Sequence, residues 1–306
     1  MPEPAGLNPL PHTFPASSAQ QRFRRRIARP AASAHRPLMP DLATSFSTAT
    51  ADVSATIKRL RLPVLLGWQD VKQRYRRSMI GPFWLTISTA ILVGCIGLIF
   101  GHLFKAPMKE FLPFLASGLV IWTFMSSSII EGCTAFTTAD HIIRQLPIPL
   151  TVHVARVLWR NIIILAHNIV IIPIAMLFLG REFSLTAVIS LFGFVLVTLN
   201  LMWISLLLGT ICTRYRDFPQ MVASLMQVMF YTTPIMWMPR LLPKEVARYF
   251  LDYNPFYHLM ELMRAPLLGT VPDAKHWMVA IAMLLVGWPV TLLFFGKFRR
   301  RIAYWL

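Results

Sequence analysis

The stretch from Trp68 to Trp84, WQDVKQRYRRSMIGPFW, places Lys72, Arg74, Arg76 and Arg77 within six residues, with Arg61 just upstream. A guanidinium is a planar fork that binds two oxygens of a phosphate or carboxylate at once. The chemistry on offer here is recognition of an anion, phosphate above all; the alternative reading is a plain positive-inside anchor that fixes membrane orientation. A second set, Asp140, His141 and His153, has residue types used in metal ligation and proton transfer. Nothing in their spacing fixes a common geometry, and they are read as part of a short helix that docks a partner. Glu131, Asp140 and Asp217 stand alone in the sequence, whereas an enzyme acting on lipid-linked sugars at a membrane surface needs clustered acids. Cys95, Cys133 and Cys212 are widely spaced in or beside apolar blocks. They imply buried free thiols, not a metal site or a disulfide framework. No G-x-x-x-x-G-K-[ST] phosphate loop occurs, and FGKF near the end is not one.

The elements that must position these groups are membrane spans. Of the 306 residues, 56% are hydrophobic and 14% charged, against roughly 45–50% and about 25% in ordinary globular chains. The net charge of +17 lies between long uncharged blocks. That placement argues against a nucleic-acid binder and for lipid headgroups or a charged cargo as the anionic partner. Six runs are long enough to cross about 30 Å of hydrocarbon: Phe83 to Leu103, Phe111 to Ile130, Val154 to Gly180, one crossing within Phe183 to Cys212, Phe218 to Met238, and Trp277 to Gly296. With the N-terminus inside, 22 of the 30 Lys and Arg residues fall on the inner side and eight outside. The positive-inside rule then puts both termini in the cytoplasm. No Asp or Glu occupies the middle of a run, and His167 with Asn168 are the strongly polar pair nearest a mid-span position. Coupling to protons or sodium is poorly supported, so energy for uphill transport must come from another subunit.

Three segments follow. Residues 1–57, rich in Pro, Ala, Ser and Arg, read as a disordered basic cytoplasmic tail, although an organelle transit peptide shares that bias. Residues 58–82 read as an amphipathic helix and loop lying in the membrane interface. Val64, Trp68, Val71, Tyr75 and Met79 share its apolar face, Asp70 is within reach of Arg74 one turn later, and Gly81-Pro82 turns the chain into the first span. Residues 83–306 form the six-span domain. Within it, Thr138 to Leu146 predicts a short inner helix with Asp140 and Arg144 four apart. The outer stretch Pro239 to Pro272 predicts a re-entrant pair of short helices, PKEVARYFL and PFYHLMELMRAPLL, with Glu261 and Arg264 as an ion pair. The fold class is thus an all-α integral membrane protein.

The ordered set QDVKQRYRRSMIGPFW, QLPIPLTVHVARVLWRN after the second span, RYRD at the fourth-to-fifth turn and YNPFYHLMELMRAPLLG before the last span resembles the permease subunits of ABC-2 type exporters. These move polysaccharides and lipopolysaccharide O-antigen across the bacterial inner membrane, and the resemblance covers Leu60 to the C-terminus. It implies a permease homodimer paired with a separate nucleotide-binding subunit that binds ATP and Mg, with no cofactor in this chain. It implies that Arg74, Arg76, Arg77, Ser78, Gly81 and Pro82 admit a lipid-pyrophosphate headgroup. It also implies that the lead-in helix and the short inner helix, through Asp70, Asp140, His141 and Arg144, meet the ATPase. Phe230, Tyr231, Trp237, Phe256 and Tyr257 become candidates for guiding sugars; taken singly, each also fits an interfacial aromatic belt. Capsule, teichoic acid or another cell-wall glycan is an alternative cargo. An enzyme on lipid-linked sugars and an ion channel are the alternatives of other classes.

Overall fold

The computed structural model describes residues 42–76, 81, 83–103, 107–180, 184–241 and 243–306. Among them 85% are helical and none forms a strand. The α-helices are α1 (Leu42–Lys58), α2 (Arg61–Tyr75), α3 (Phe83–Leu103), α4 (Met108–Cys133), α5 (Asp140–Gln145), α6 (Thr151–Asn168), α7 (Ile171–Phe178), α8 (Ile189–Arg214), α9 (Phe218–Thr232), α10 (Lys244–Asp252), α11 (Pro255–Leu267) and α12 (Ala274–Trp305).

Among the described residues five stretches are long and apolar enough to cross a membrane: α3, α4, α6 with α7, α8 with the turn before it, and α12. The fourth helix is the hub. Most of α4 is buried, from Phe111 to Cys133, against α3, α6, α8 and α11. The stretch from Thr151 to Phe178 holds one break, at Ile169–Val170, and its cause is local. Pro173 has no N–H for the Ile169 carbonyl, which instead accepts from the Ile172 amide at 3.1 Å.

The expected fifth span, Phe218 to Met238, is shorter than the sequence reading had it. The helix α9 stops at Thr232 after 15 residues, about 22 Å of rise. The cause is Pro234, which pushes the residue before it out of the helical region; Thr233 is extended, with ψ 136°. The last helix, in contrast, runs 32 residues, beyond both expected ends.

The expectation of disorder up to residue 57 is corrected over residues 42–57, which belong to α1. Ser45, Ala49, Asp52 and Thr56 recur at steps of four, three and four and form its buried face. They are small or polar, so the chain lies very close to α12. A Cβ placed on Gly296 would sit 1.9 Å from the Ser45 carbonyl oxygen, an approach only glycine permits. Asp52 fastens this contact. Its carboxylate accepts from Arg299 Nε at 2.7 Å and Nη2 at 2.6 Å, and from the Thr151 amide at 3.0 Å and hydroxyl at 2.8 Å. One side chain thus pairs with the last helix and caps the start of α6.

The face of α2 that packs on protein is a different one from the apolar face expected toward the membrane. Pro63, Gly67 and Val71 are buried, while Val64 and Trp68 are exposed. Small residues let α2 lie against α6. The short helix expected at Thr138 to Leu146 occurs as α5, preceded by a 3-10 turn at Thr137–Ala139, and the stretch Pro239 to Pro272 forms α10 and α11. Asn254 caps α11, its Oδ1 accepting from the amides of Phe256 at 3.0 Å and Tyr257 at 3.2 Å.

Candidate functional site

The candidate site lies where α2 meets α4 and α6. Three residues on one side of α6 set it up: Arg156 and Arg160 one turn apart, and Asn161 next along. Asp70 of α2 takes both arginines. Arg156 donates Nε–H to Oδ2 at 2.7 Å and Nη2–H to Oδ1 in a bidentate pair, and Arg160 donates Nη1–H to Oδ2 at 3.1 Å. Glu131, in the last turn of α4, takes the other side of Arg160 at 2.7 Å and the Asn161 amide at 2.8 Å, both on Oε2. Its second oxygen, Oε1, accepts from Arg74 Nη2 at 3.0 Å.

Two carboxylates face three guanidiniums, leaving one positive charge over. Asp70 is 9% exposed and Arg160 17%, but Arg74 is 46% exposed. The surplus charge therefore sits on the side nearest solvent. Burial pulls the Arg74 pKa down, but hydrogen bonding and attraction to Glu131 outweigh it and raise it above its ordinary value. Beneath Arg74 and Glu131 a crevice of about 110 Å³ runs between α3, α4 and α6. Its walls mix Leu85, Val120, Phe124 and Leu165 with the polar Thr123, Ser127, Asn161 and Asn168. Asn168 accepts from the Thr86 hydroxyl at 3.2 Å, tying α3 to α6 at this crevice. The arrangement offers an anion a mobile cation at the mouth of a half-polar slot.

Several expected residues meet here and others do not. Arg74 and Asp70 belong to the site, but not as the local pair expected. Asp70 binds Arg156 and Arg160, and Arg74 reaches across to Glu131, because two cations on α6 outcompete one neighbour on the same helix. Arg76 is exposed immediately beyond α2. The φ of Gly81 is +63°, a turn conformation that favours glycine. Arg77, Ser78 and Pro82 lie outside the described residues. On α5, Asp140 and Arg144 form the expected pair on the surface, with His141 exposed beside them; they are not part of the cluster around Asp70. Arg156, Arg160 and Asn161 are the members that sequence reasoning missed. The signal was present as two arginines and an asparagine at one end of an apolar run.

Two of the aromatic candidates pack on Trp122, another residue the sequence did not single out. The rings of Phe230 and Phe256 lie 5.9 Å and 5.8 Å from it. Tyr231 packs on Phe230 at 5.4 Å and is exposed, and its carbonyl accepts from the Trp237 indole at 3.2 Å. Tyr257 packs edge-on to His276 at 5.4 Å. Its hydroxyl pKa is pushed up to about 12, first by burial and then by Glu261. The expected Glu261–Arg264 pair forms. Arg264 is fully buried, donates to the Pro234 carbonyl at 2.5 Å and lies 4.1 Å over the Phe114 ring.

Comparison with known families places a match to the ABC-2 type transporter family over residues 64–268, which takes in every member of the site. The chain belongs to the ABC-2 type transporter family. Two Klebsiella pneumoniae proteins named O-antigen export system permease protein RfbA are 24% and 26% identical to it, each over 79% of this chain and 93% of the relative. A Myxococcus xanthus protein of the same name is 25% identical over 74% of this chain and 87% of the relative. Helices α1 and α12 lie outside the matched ABC-2 segment, so the Asp52–Arg299 pair joins two flanking elements, while Thr151 ties the same carboxylate to the matched part.

Proposed function

We propose that the chain is the permease subunit of an ATP-driven exporter that moves a lipid-linked polysaccharide of the O-antigen type across the bacterial inner membrane. Family membership and the names of the relatives support the class. The observation that carries the reading to this chain's own residues is the surplus guanidinium of Arg74 at the crevice between α3, α4 and α6. Arg74 can leave Glu131 for the oxygens of a lipid-linked phosphate without stranding a carboxylate, because Arg160 and Asn161 still hold Oε2. The rest of the node keeps α2 fixed while its outermost cation changes partner. Glu131 itself is engaged by three donors, which suits a positioning group better than a proton donor.

In this reading two permease chains pair with two copies of a nucleotide-binding subunit that supplies ATP and Mg. Both termini are cytoplasmic, as the Lys and Arg placement supports. The exposed faces of α2 and α5, with Asp140, His141 and Arg144, receive the ATPase. Arg76, Arg77, Ser78, Gly81 and Pro82 continue the headgroup surface from Arg74. The sixth crossing is completed by α9 and the six residues after it: about 22 Å of helix followed by non-helical chain at up to ~3.3 Å per residue spans the hydrocarbon. Irregular backbone at that depth requires cover by protein, and Thr233, Pro234 and Ile235 are buried. Helices α10 and α11 form a hairpin on the outer side, and Tyr231, Trp237 and Tyr257 guide sugars beside the Trp122 cluster.

Copurification tests the assembly. The tagged chain, isolated from native membrane, is expected to bring down a stoichiometric subunit bearing a phosphate loop. A clean homo-oligomer under conditions that preserve membrane complexes would count against export and favour a channel or an enzyme.

A further inference from the structure

A cavity of about 260 Å³ lies between α1, α2, α6 and α8. Its walls are almost wholly apolar and include Val53, Ile57, Pro63, Ala155, Trp159 and Met202. The hydroxyls that line it are already used. Thr56 and Thr151 bond each other at 2.5 Å, and Thr198 donates to the Phe194 carbonyl at 2.8 Å. Water needs two to four polar partners to be held in a cavity, and this one does not provide them.

The mouth of the cavity carries the opposite character. The corner between α1 and α2 reads Ile57-Lys58-Arg59-Leu60-Arg61. Ile57 and Leu60 line the cavity and are exposed on their outer sides. Their sequence neighbours Lys58 and Arg61 are exposed and have no acidic partner among the described residues, while Arg59 lines the adjoining pocket with Asp52 and Arg299. An apolar slot edged by unpaired cations is complementary to one chemistry, an acyl chain joined to an anionic headgroup. We infer that this cavity is a binding site for an anionic phospholipid. One acyl chain lies between α1, α2, α6 and α8, and the headgroup phosphate rests on Lys58 and Arg61. Helix α1, the corner and Pro63 lie before the segment matched to the family, and the rest of the cavity wall lies within it. The leaflet involved, the cytoplasmic one, rests on the topology proposed above; the binding itself requires neither cargo nor ATPase, so its failure and the failure of the export reading are separable.

The test is native mass spectrometry of the full-length chain in detergent, delipidated and titrated with palmitoyl-oleoyl phosphatidylglycerol or phosphatidylcholine at equal concentration. A cation near a lipid surface contributes about fivefold in affinity. The wild type is expected to take up one phosphatidylglycerol per chain, at least about fivefold more tightly than phosphatidylcholine. K58Q/R61Q, confined to exposed side chains, is expected to bring the two lipids to parity. A155F, which fills the slot, is expected to lose the saturable lipid, with a thermal melt as the check on folding. If A155F does not fold, the charge variant alone decides. Equal binding of both lipids by the wild type, an unchanged preference in K58Q/R61Q, a folded A155F that still binds, or preferential uptake of a polyprenyl phosphate would each overturn the proposal.

Discussion

Replacing Asp52 by alanine should release α1 from the helical body. The carboxylate is fully buried and holds two elements at once. At the start of α6 it accepts from the Thr151 amide and hydroxyl and from the Leu150 amide at 3.3 Å. Loss of a helix cap costs about 1 kcal/mol. On α12 it pairs with Arg299, whose side chain is 36% exposed. Breaking a buried pair costs about 3–5 kcal/mol, and the partial exposure of Arg299 brings this to roughly 2 kcal/mol by solvent screening. Together the loss is about 3 kcal/mol, which corresponds to roughly a hundredfold in an opening equilibrium. Hydrogen exchange of the full chain in nanodiscs reads this directly. Amides of residues 42–58 should lose about a hundredfold in protection in D52A, while amides in the middle of α4 change little. D52N, which keeps one acceptor oxygen for the start of α6 but loses the charge, should fall between. Unchanged protection over residues 42–58 in D52A would refute the clamp, because no other charged contact among the described residues ties α1 to α12.

Other consequences are open to single experiments. Gly296→Val places side-chain atoms where the Ser45 backbone stands; overpacking of about 1–3 kcal/mol should raise exchange in α1, and normal protection there would show the contact to be dispensable. Glu131→Gln leaves Arg160 with one fewer anionic partner and Arg74 with none, so ATP-dependent export should fall more than about tenfold with the protein still folded by melting; wild-type export would remove Glu131 from the site. Arg264→Met strands the Glu261 carboxylate and should destabilise by about 3 kcal/mol, with R264M/E261Q recovering much of the loss in a detergent melt; no recovery would assign the cost to Arg264's contacts with Phe114 and Pro234. The raised Tyr257 pKa means that the fold favours the neutral phenol. The associated stability is present below about pH 10 and is lost as pH rises from about 10 to about 12. Y257F should flatten the alkaline melting curve in that window, and an identical curve would exclude the tyrosine as its source.

The spans were legible because apolar runs of membrane length admit few alternatives. The two short helices of the outer stretch were legible from Pro243, Asn254 and Pro255, which punctuate it. Helix α1 was not, because its packed face is Ser45, Ala49, Asp52 and Thr56. Apolar periodicity cannot detect a face that packs by being small and holds by one buried carboxylate. The end of α9 was written in Pro234, but a hydropathy reading passes over a proline within an apolar run. The charged node was half legible. Local rules join Asp70 to Arg74, but the contacts that form join α2 to residues 57, 86 and 90 positions later. Such distances in the chain are bridged only once α4 and α6 have packed. The same holds for Phe230, Phe256 and Trp122, three rings from three helices that no spacing rule connects.

The central claim is that this chain moves a lipid-linked glycan with Arg74 receiving its phosphate. The most direct measurement reconstitutes the chain with its nucleotide-binding partner in proteoliposomes and follows ATP-dependent movement of a lipid-linked O-antigen glycan across the bilayer. The account predicts transport by the wild type, a loss of at least about tenfold in R74A, consistent with a charge-assisted contact of 1.5–3 kcal/mol, and only partial recovery in R74K, which lacks the fork. Transport unaffected by R74A would contradict the role given to the site, and no ATP-dependent movement by the wild-type assembly would contradict the export reading as a whole.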